Sequence, residues 1–323
     1  MKICVVGAGA IGGLLAAGFA RAGNEVCLVA RGAHLDALRS NGLTLLAEGE
    51  REVFRLPASD HPSAFGAQDA VFLCLKTYSI AAMLPRTKAL LGRDTVVVPA
   101  INGLPWWYFY AEGGRFDGQP VACLDPEGTL FGALDPRHIL GCVVHAAAQV
   151  PEPGVVRHTA GREFLIGEPD RSKSARAERV VTAMNAAGFE ARHASDIRLE
   201  IWIKLVGNLS YNPVAALALA HMNDIHASDS LLALVRAIME EGMRVAEAYG
   251  VRIPVTVEER IAIAKKLAGA KISMHQDIEK RRPLEVDAII GAVGELARKA
   301  GIATPMVDAV YALIAERARH LDR

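Results

Sequence analysis

The opening stretch of the chain, from Lys2 to Gly13, constrains the fold more than any other. Lys2-Ile3-Cys4-Val5-Val6 is a short apolar run that stops at Gly7-Ala8-Gly9-Ala10-Ile11-Gly12-Gly13. A run of that kind, ended by glycines, reads as a parallel strand buried on both faces. Small residues then continue in a helical stretch to Ala22, Gly23-Asn24 closes it, and Glu25 to Ala30 reads as a second strand. Strand, glycine turn, helix and strand in this order make a βαβ unit.

The context gives the G-x-G-x-x-G spacing its meaning, because here it follows a strand and opens a helix. Gly7 permits the tight turn, Gly9 lets the backbone approach a pyrophosphate, and Gly12 allows close packing of helix on strand. The N-terminus of that helix offers free N–H groups and the positive end of its dipole. Gly7, Ala8, Gly9, Ala10, Ile11 and Gly12 are therefore expected to hold the phosphates of a dinucleotide. A cofactor with a free ribose 2′-OH asks for a carboxylate at the end of the second strand, and the chain has Ala30-Arg31-Gly32 there. Arg31 cannot accept that hydrogen bond, but its fixed fork of donors suits a 2′-phosphate, so the expected cofactor is NADP(H).

The chain has 323 residues, room for two domains. With 36 Lys+Arg against 36 Asp+Glu, it has no surplus of basic charge to attract nucleic acid or an anionic membrane. Its five cysteines are odd in number, lack C-x-x-C spacing, and three of them (Cys4, Cys27, Cys74) sit in apolar runs. A disulfide framework and a zinc site are both disfavoured, and a reducing cytoplasm is the expected compartment. No signal-peptide pattern opens the sequence, and no run long and apolar enough to span a membrane follows.

Further strands are expected at Ala70–Leu75 and Thr95–Pro99, then in CVVHAAAQV, GVVRHT and REFLIG. Turn-formers and charges fill Gly167–Arg176, and from Ala177 onward the pattern is helical without another run of strands. Leu231, Leu232, Val235, Ile238, Met239 and Met243 return at three- and four-residue steps. The expected architecture is an α/β Rossmann-like domain over residues 1–168 and an all-helical domain over residues 169–323.

In the second half, Lys204, Asn208 and Asn212 stand at i, i+4 and i+8 within EIWIKLVGNLSYNP, and share a face if one helix runs through them. A lysine among apolar residues is costly unless partnered, and desolvation is one route to a catalytic lysine. Snorkelling of Lys204 and helix bridging by the asparagines are the structural alternatives. Ser273 and Gln276 have the spacing of a capping box, with Ser273 at the cap. Glu285, two residues after Pro283, is expected in the first turn of the next helix. The histidines His145, His158, His221, His226 and His275 show no metal-ligand spacing, and no metal is expected.

The segments MKICVVGAGAIGG, VARG, FLCLKT, INGLP, PGVVRHT, EIWIKLVGNLSYNP, SMHQDIEKRRPLEVDAIIG and GIATP, in this order, make the chain resemble the ketopantoate reductase (2-dehydropantoate 2-reductase) family over nearly its whole length. The resemblance implies a Rossmann-like domain joined to a helical domain like the C-terminal part of 6-phosphogluconate dehydrogenase. It also implies NADPH-dependent reduction of 2-dehydropantoate to (R)-pantoate, a step toward pantothenate. By the same resemblance Lys204 and Glu285 look catalytic, while Asn102, Asn208, Asn212 and Ser273 look substrate-binding, Ser273 toward the carboxylate. Lys76 and Asn102 would lie beside the nicotinamide, with Glu285 also near the cofactor, and the cleft between domains would exclude water. The implied partner is a small-molecule 2-oxo acid, with no nucleic acid and no membrane, for a chain acting as a monomer or homodimer.

The chain departs from the family after Asn102-Gly103. The family continues with a glycine, then Asn and Glu, whereas this chain has Leu104-Pro105-Trp106-Trp107-Tyr108-Phe109-Tyr110 and a long segment from Ala111 to Ile139. The aromatic run could wall a larger, more apolar pocket, or pack against the extra segment. Two rival functions follow: reduction of a bulkier 2-oxo acid, or a non-catalytic NADP(H)-binding sensor. Retention of Lys204, Asn208, Asn212, Ser273 and Glu285 together argues against the sensor.

Overall fold

The computed structural model describes residues 1–266 and 272–321. Its chain forms two compact units. The first comprises Met1–Ile101, Phe109–Gln119 and Glu127–Ile197; the second comprises Asn102–Tyr108, Pro120–Pro126 and Arg198–Arg323.

The first unit holds the strands β1 (Lys2–Val6), β2 (Glu25–Val29), β3 (Leu43–Ala47), β4 (Glu50–Phe54), β5 (Ala58–Ser59), β6 (Gln68–Leu73), β7 (Leu91–Pro99), β8 (Gly141–Glu152), β9 (Val155–Gly167) and β10 (Glu190–His193). A parallel sheet in the order β5-β2-β1-β6-β7 is its centre. Cys4 stands opposite Cys27 on one side and Val71 on the other. From Ile3 to Val6 β1 is wholly buried, as its unbroken apolar run requires. Helix Ala10–Arg21 presents Leu14, Leu15, Ala16, Ala17 and Phe19 to the same core, where Phe19 meets Phe72 at 5.0 Å between ring centroids. The expected strands at 25–30, 70–75 and 95–99 are all present, displaced at their ends by a few residues.

A second sheet of this unit is built around β9. Its first residues pair with β3 and its last with β10, both parallel, while β8 runs antiparallel along it. GVVRHT and REFLIG are thus one strand rather than two. The hairpin of β3 and β4 turns through Glu48 (φ 53°) and Gly49 (φ 83°), the two positive φ angles of a type I′ turn. Neither this hairpin nor β5 is legible in the apolar pattern, because the faces of β4 alternate with charge and β5 is two residues long.

The expected division after residue 168 meets a different arrangement. Helix Ala175–Ala186 and β10 belong with the first unit, and residues Asn102–Tyr108 and Pro120–Pro126 belong with the second. A strand after Ala177 was not expected, and β10 escapes notice because four residues, Glu-Ala-Arg-His, carry too little periodicity.

Every regular element of the second unit, among its described residues, is helical. Helix Ile197–Ala218 runs without interruption despite Pro213, and helix Asp229–Ala248 buries Val235, Ile238 and Met239 completely. Glu241 from that helix accepts the N–H groups of Met306 and Val307, and so caps helix Pro305–Arg319. The carboxylate of Glu295 holds the N–H groups of Ala122 and Cys123 at 2.8 and 2.7 Å, which ties the Pro120–Pro126 excursion to helix Ala292–Ala300.

Candidate active site

In the first unit, three expected cofactor-binding segments lie at the carboxyl ends of neighbouring strands. The loop Gly7–Gly12 follows β1, Arg31 follows β2, and Lys76 follows β6. Sheet order reverses between β2-β1 and β6-β7, and crevices at such points are where open parallel sheets bind ligands. Backbone bonds fix the arrangement: Gly7 N–H donates to Val29 O at 2.9 Å, and Cys74 N–H donates to Val6 O at 2.8 Å.

Glycine is required at both ends of the loop. Gly7 adopts φ +97°, and a Cβ at Gly12 would fall 2.0 Å from Gly7 O. Beside Gly9, by contrast, a Cβ would meet nothing within 4 Å. Helix Ala10–Arg21 begins immediately after, with no side-chain cap and no acid in its first turn. Open space against an uncapped helix N-terminus fits an anionic pyrophosphate. Arg31 is exposed, and its guanidinium makes no hydrogen bond or ion pair to another described residue, which fits a 2′-phosphate. Lys76 is half-buried and heads the short 3₁₀ turn Thr77–Ser79.

One residue of this loop was not anticipated. His34, on helix Gly32–Asn41, lies 2.7 Å from Ala8 O through Nε2, and accepts the Gly154 N–H at 3.0 Å through Nδ1. Since Nδ1 accepts, the ring proton is on Nε2 and donates to Ala8 O. A single histidine therefore ties the phosphate loop to the turn between β8 and β9, a relation that nothing in local spacing reveals.

In the second unit, the uninterrupted helix Ile197–Ala218 puts Lys204, Asn208 and Asn212 on one face. Lys204 does not snorkel away: its Nζ donates to Oδ1 of Asn102 at 2.8 Å. Asn212 is 5% exposed, and its Nδ2 is buried without a hydrogen-bond partner among the described residues. A buried amide donor left unpaired costs about 1–3 kcal/mol, a penalty that a ligand acceptor would relieve.

The segment that carries Asn102 is held from several sides. Leu104 N–H donates to Ala288 O at 2.7 Å, and Gly103, at φ +79°, passes so close that a Cβ would meet Ala288 O at 2.3 Å. Ala288 belongs to the π-helical turn Asp287–Gly291 that follows Glu285. Glu285 is 6% exposed and lies just ahead of the helix rather than in its first turn, its carbonyl accepting Ile289 N–H at 3.3 Å. Packing of the Asn102 loop on that turn thus brings Lys204, Asn102 and the Glu285 region into one neighbourhood.

Ser273 departs from its expected capping role. Ile272 is the N-cap of helix Ser273–Glu279, and no side chain caps it. Ser273 is exposed as the helix's first residue, so its hydroxyl is left to other partners.

The aromatic run is packing. Trp106, Trp107, Tyr108 and Phe109 are at most 3% exposed. Tyr108 is gripped by the Lys204 helix: Trp202 Nε1 donates to its hydroxyl at 2.6 Å, and Arg198 Nε donates to its carbonyl at 2.8 Å. In the first unit, Phe109 meets Phe116 at 5.5 Å and Tyr110 meets Phe131 at 6.4 Å, so the extra segment supplies the partners. All five cysteines are free thiols, and burial pushes the Cys74 thiol, beside the phosphate loop, far up. Among the described residues no group of three His, Cys, Asp or Glu could hold a metal, and no helix is long and apolar enough to cross a membrane.

Comparison with known proteins places these features in a lineage. Residues 3–171 match the family model described as Ketopantoate reductase PanE/ApbA, and residues 196–318 match that of Ketopantoate reductase PanE/ApbA C terminal. The 2-dehydropantoate 2-reductase of Mesorhizobium japonicum is 43% identical over 315 residues, 97% of each chain. That of Halobacterium salinarum is 31% identical, over 97% of this chain and 98% of its own. A crystal structure of a Ralstonia solanacearum protein assigned to the ketopantoate reductases matches with a TM-score of 0.95 at 36% identity, over 99% of this chain and 98% of that one. D-mandelate dehydrogenase, solved with NADH and anilino(oxo)acetate, shares the fold with a TM-score of 0.87 at 23% identity, over 100% of both chains. With a parallel-sheet domain and a helical domain each matched in order, this chain belongs to the ketopantoate reductase family.

Proposed function

We propose that the protein reduces 2-dehydropantoate to (R)-pantoate with NADPH, in the cytoplasm, as a step toward pantothenate. The observation that carries this reading is the Lys204–Asn102 pair on a helix face that also presents Asn208 and Asn212. NADPH, when bound, supplies a hydride to the ketone carbon. Gly7 to Gly12 would hold its pyrophosphate, Arg31 its 2′-phosphate, and Lys76 its nicotinamide half.

The remaining chemistry belongs to the chain. Negative charge grows on the ketone oxygen as the carbon is reduced; the Lys204 ammonium stabilises it there and gives the oxygen its proton. Asn102 orients that ammonium by accepting one of its hydrogens. Glu285 holds the lysine or a substrate hydroxyl, while Asn208 and Asn212 offer amide donors and acceptors to a hydroxylated acid. Ser273 contributes its hydroxyl to the carboxylate.

With Trp106 to Phe109 buried as packing, the aromatic run supplies no argument for a bulkier substrate. The retained lysine and asparagines are more than a sensor needs, since a sensor needs only the phosphate loop. The test follows NADPH absorbance with a panel of 2-oxo acids, 2-dehydropantoate first. Preferential turnover of 2-dehydropantoate supports the reading. Preference for another acid corrects the substrate, and binding of NADPH without any turnover supports the sensor.

A further inference from the structure

The first turn of helix Val257–Lys265 carries Glu258, Glu259 and Arg260 in succession, and both acids are already committed. Glu258 pairs with Arg236, Oε1 to Nε at 2.7 Å. Glu259 completes a capping box: its carboxylate accepts the Thr256 N–H at 2.7 Å, and its own N–H donates to Thr256 Oγ1 at 3.2 Å. Arg260 is left over. Its Nε is closed off from solvent without a hydrogen-bond partner, and no ion pair joins it to another described residue.

Burial works against the charge of this guanidinium. Tyr211 favours that charge electrostatically but cannot be its counter-ion, because burial pushes the phenol up to about 12 and keeps it neutral. A half-buried cation with no anion among the described residues is a costly arrangement for a folded chain unless a ligand completes it.

Its position says which ligand. A methyl group at Gly207 would come within 2.9 Å of Arg260 Nη2, so the guanidinium reaches the helix at the position that carries no side chain. Gly207 and Tyr211, at i+3 and i+7 from Lys204, adjoin the lysine along the helix surface. One helical turn, about 5.4 Å, matches the distance between two donors that grip the keto oxygen and the carboxylate of one 2-oxo acid.

We propose that Arg260 is a substrate-recognition residue, its guanidinium taking the carboxylate next to the ketone that Lys204 addresses. The assignment rests on the reductase reading above. It adds a full counter-charge where the Ser273 hydroxyl offers only a neutral donor.

The test compares kcat and KM of the NADPH-loaded wild type, Arg260→Ala, Arg260→Gln and Arg260→Lys on 2-dehydropantoate and on its uncharged lactone. For the acid, Arg260→Ala and Arg260→Gln are expected to raise KM by about 100-fold with a much smaller change in kcat, because a charge-assisted bidentate contact is lost. For the lactone, kcat/KM is expected to stay within about threefold, and Arg260→Lys to recover part of the acid's KM. Equal losses on acid and lactone, or an unchanged KM for the acid, overturn the assignment while leaving the reductase reading intact. Loss confined to dicarboxylic 2-oxo acids such as 2-oxoglutarate overturns it too, since the arginine would then serve a remote carboxylate. A wild type that reduces no 2-oxo acid overturns the reductase reading itself and this assignment with it.

Discussion

Lys204 Nζ donates a 2.8 Å hydrogen bond to Oδ1 of Asn102, a residue 102 positions earlier in the chain. The pair joins the Lys204 helix face to the loop that follows β7, inside a single compact unit. Lys204→Ala removes both the charge and the proton donor, and kcat is expected to fall by about 1,000-fold. Asn102→Ala leaves the ammonium in place but removes one acceptor that orients it, with an expected loss in kcat/KM of about 10- to 100-fold. Steady-state kinetics of both variants, with circular dichroism to verify folding, check the order. A Lys204→Ala enzyme as active as the wild type would remove the proposed acid.

Arg31 stands exposed at the end of β2 without an ion pair to another described residue. If its fork takes the 2′-phosphate, Arg31→Ala should lower kcat/KM for NADPH by about 100-fold and barely change that for NADH. The ratio of the two specificity constants is the measurement. An intact enzyme that prefers NADH would contradict the role.

His34 supports the phosphate loop from behind, donating to Ala8 O and accepting from Gly154 N–H. His34→Ala loses two hydrogen bonds and leaves the partners to water, an expected loss of about 1–2 kcal/mol in unfolding free energy. The loop should also loosen, raising KM for NADPH more than KM for the acid. Denaturant unfolding and separate KM values check the two effects.

How much of this was legible depends on the range of the interaction that decides each feature. β1, the glycine loop and Arg31 are neighbours in sequence, so a strand, a turn and a charge sufficed to find them. The Lys204–Asn208–Asn212 face is also local, needing only that the helix run on through Pro213. Long-range contacts were the hidden part. His34 touches a turn 120 residues away, and Glu295 reaches back 173 residues to Ala122. Asn102, Trp106, Trp107 and Tyr108 read as a strand-end loop of the first domain, yet they pack in the helical unit, where Trp202 and Arg198 hold Tyr108. Arg260 gave no signal of its own; it became conspicuous only once Glu258 and Glu259 were seen to be occupied.

The same contacts make the aromatic run a matter of stability. Trp202→Phe deletes the donor that bonds the Tyr108 hydroxyl at 2.6 Å inside a fully buried site. The expected destabilisation is about 1–3 kcal/mol, since a buried hydrogen bond to the hydroxyl is lost. Tyr108→Phe should destabilise by a similar route while leaving the preference among small and aromatic 2-oxo acids unchanged. Thermal melts and a substrate panel separate the two properties. A shift in preference toward or away from aromatic acids would show that the run shapes the pocket after all.

Tyr211 sets an alkaline limit on the helical unit. Its phenol is 4% exposed, contacts His226 Nε2 at 3.3 Å, and is pushed by burial from 10.0 up to about 12. The unfolded chain releases that proton near pH 10, whereas the folded chain keeps it until about pH 12. The stabilising contribution is therefore fully present below pH 10 and disappears as pH rises to about 12, amounting to about 2–3 kcal/mol over that window. Tyr211→Phe has no proton to lose and should show a flatter fall in stability between those values. Urea unfolding of both proteins across the alkaline range is the measurement, and identical slopes would mean that the buried phenol is not what the folded state protects.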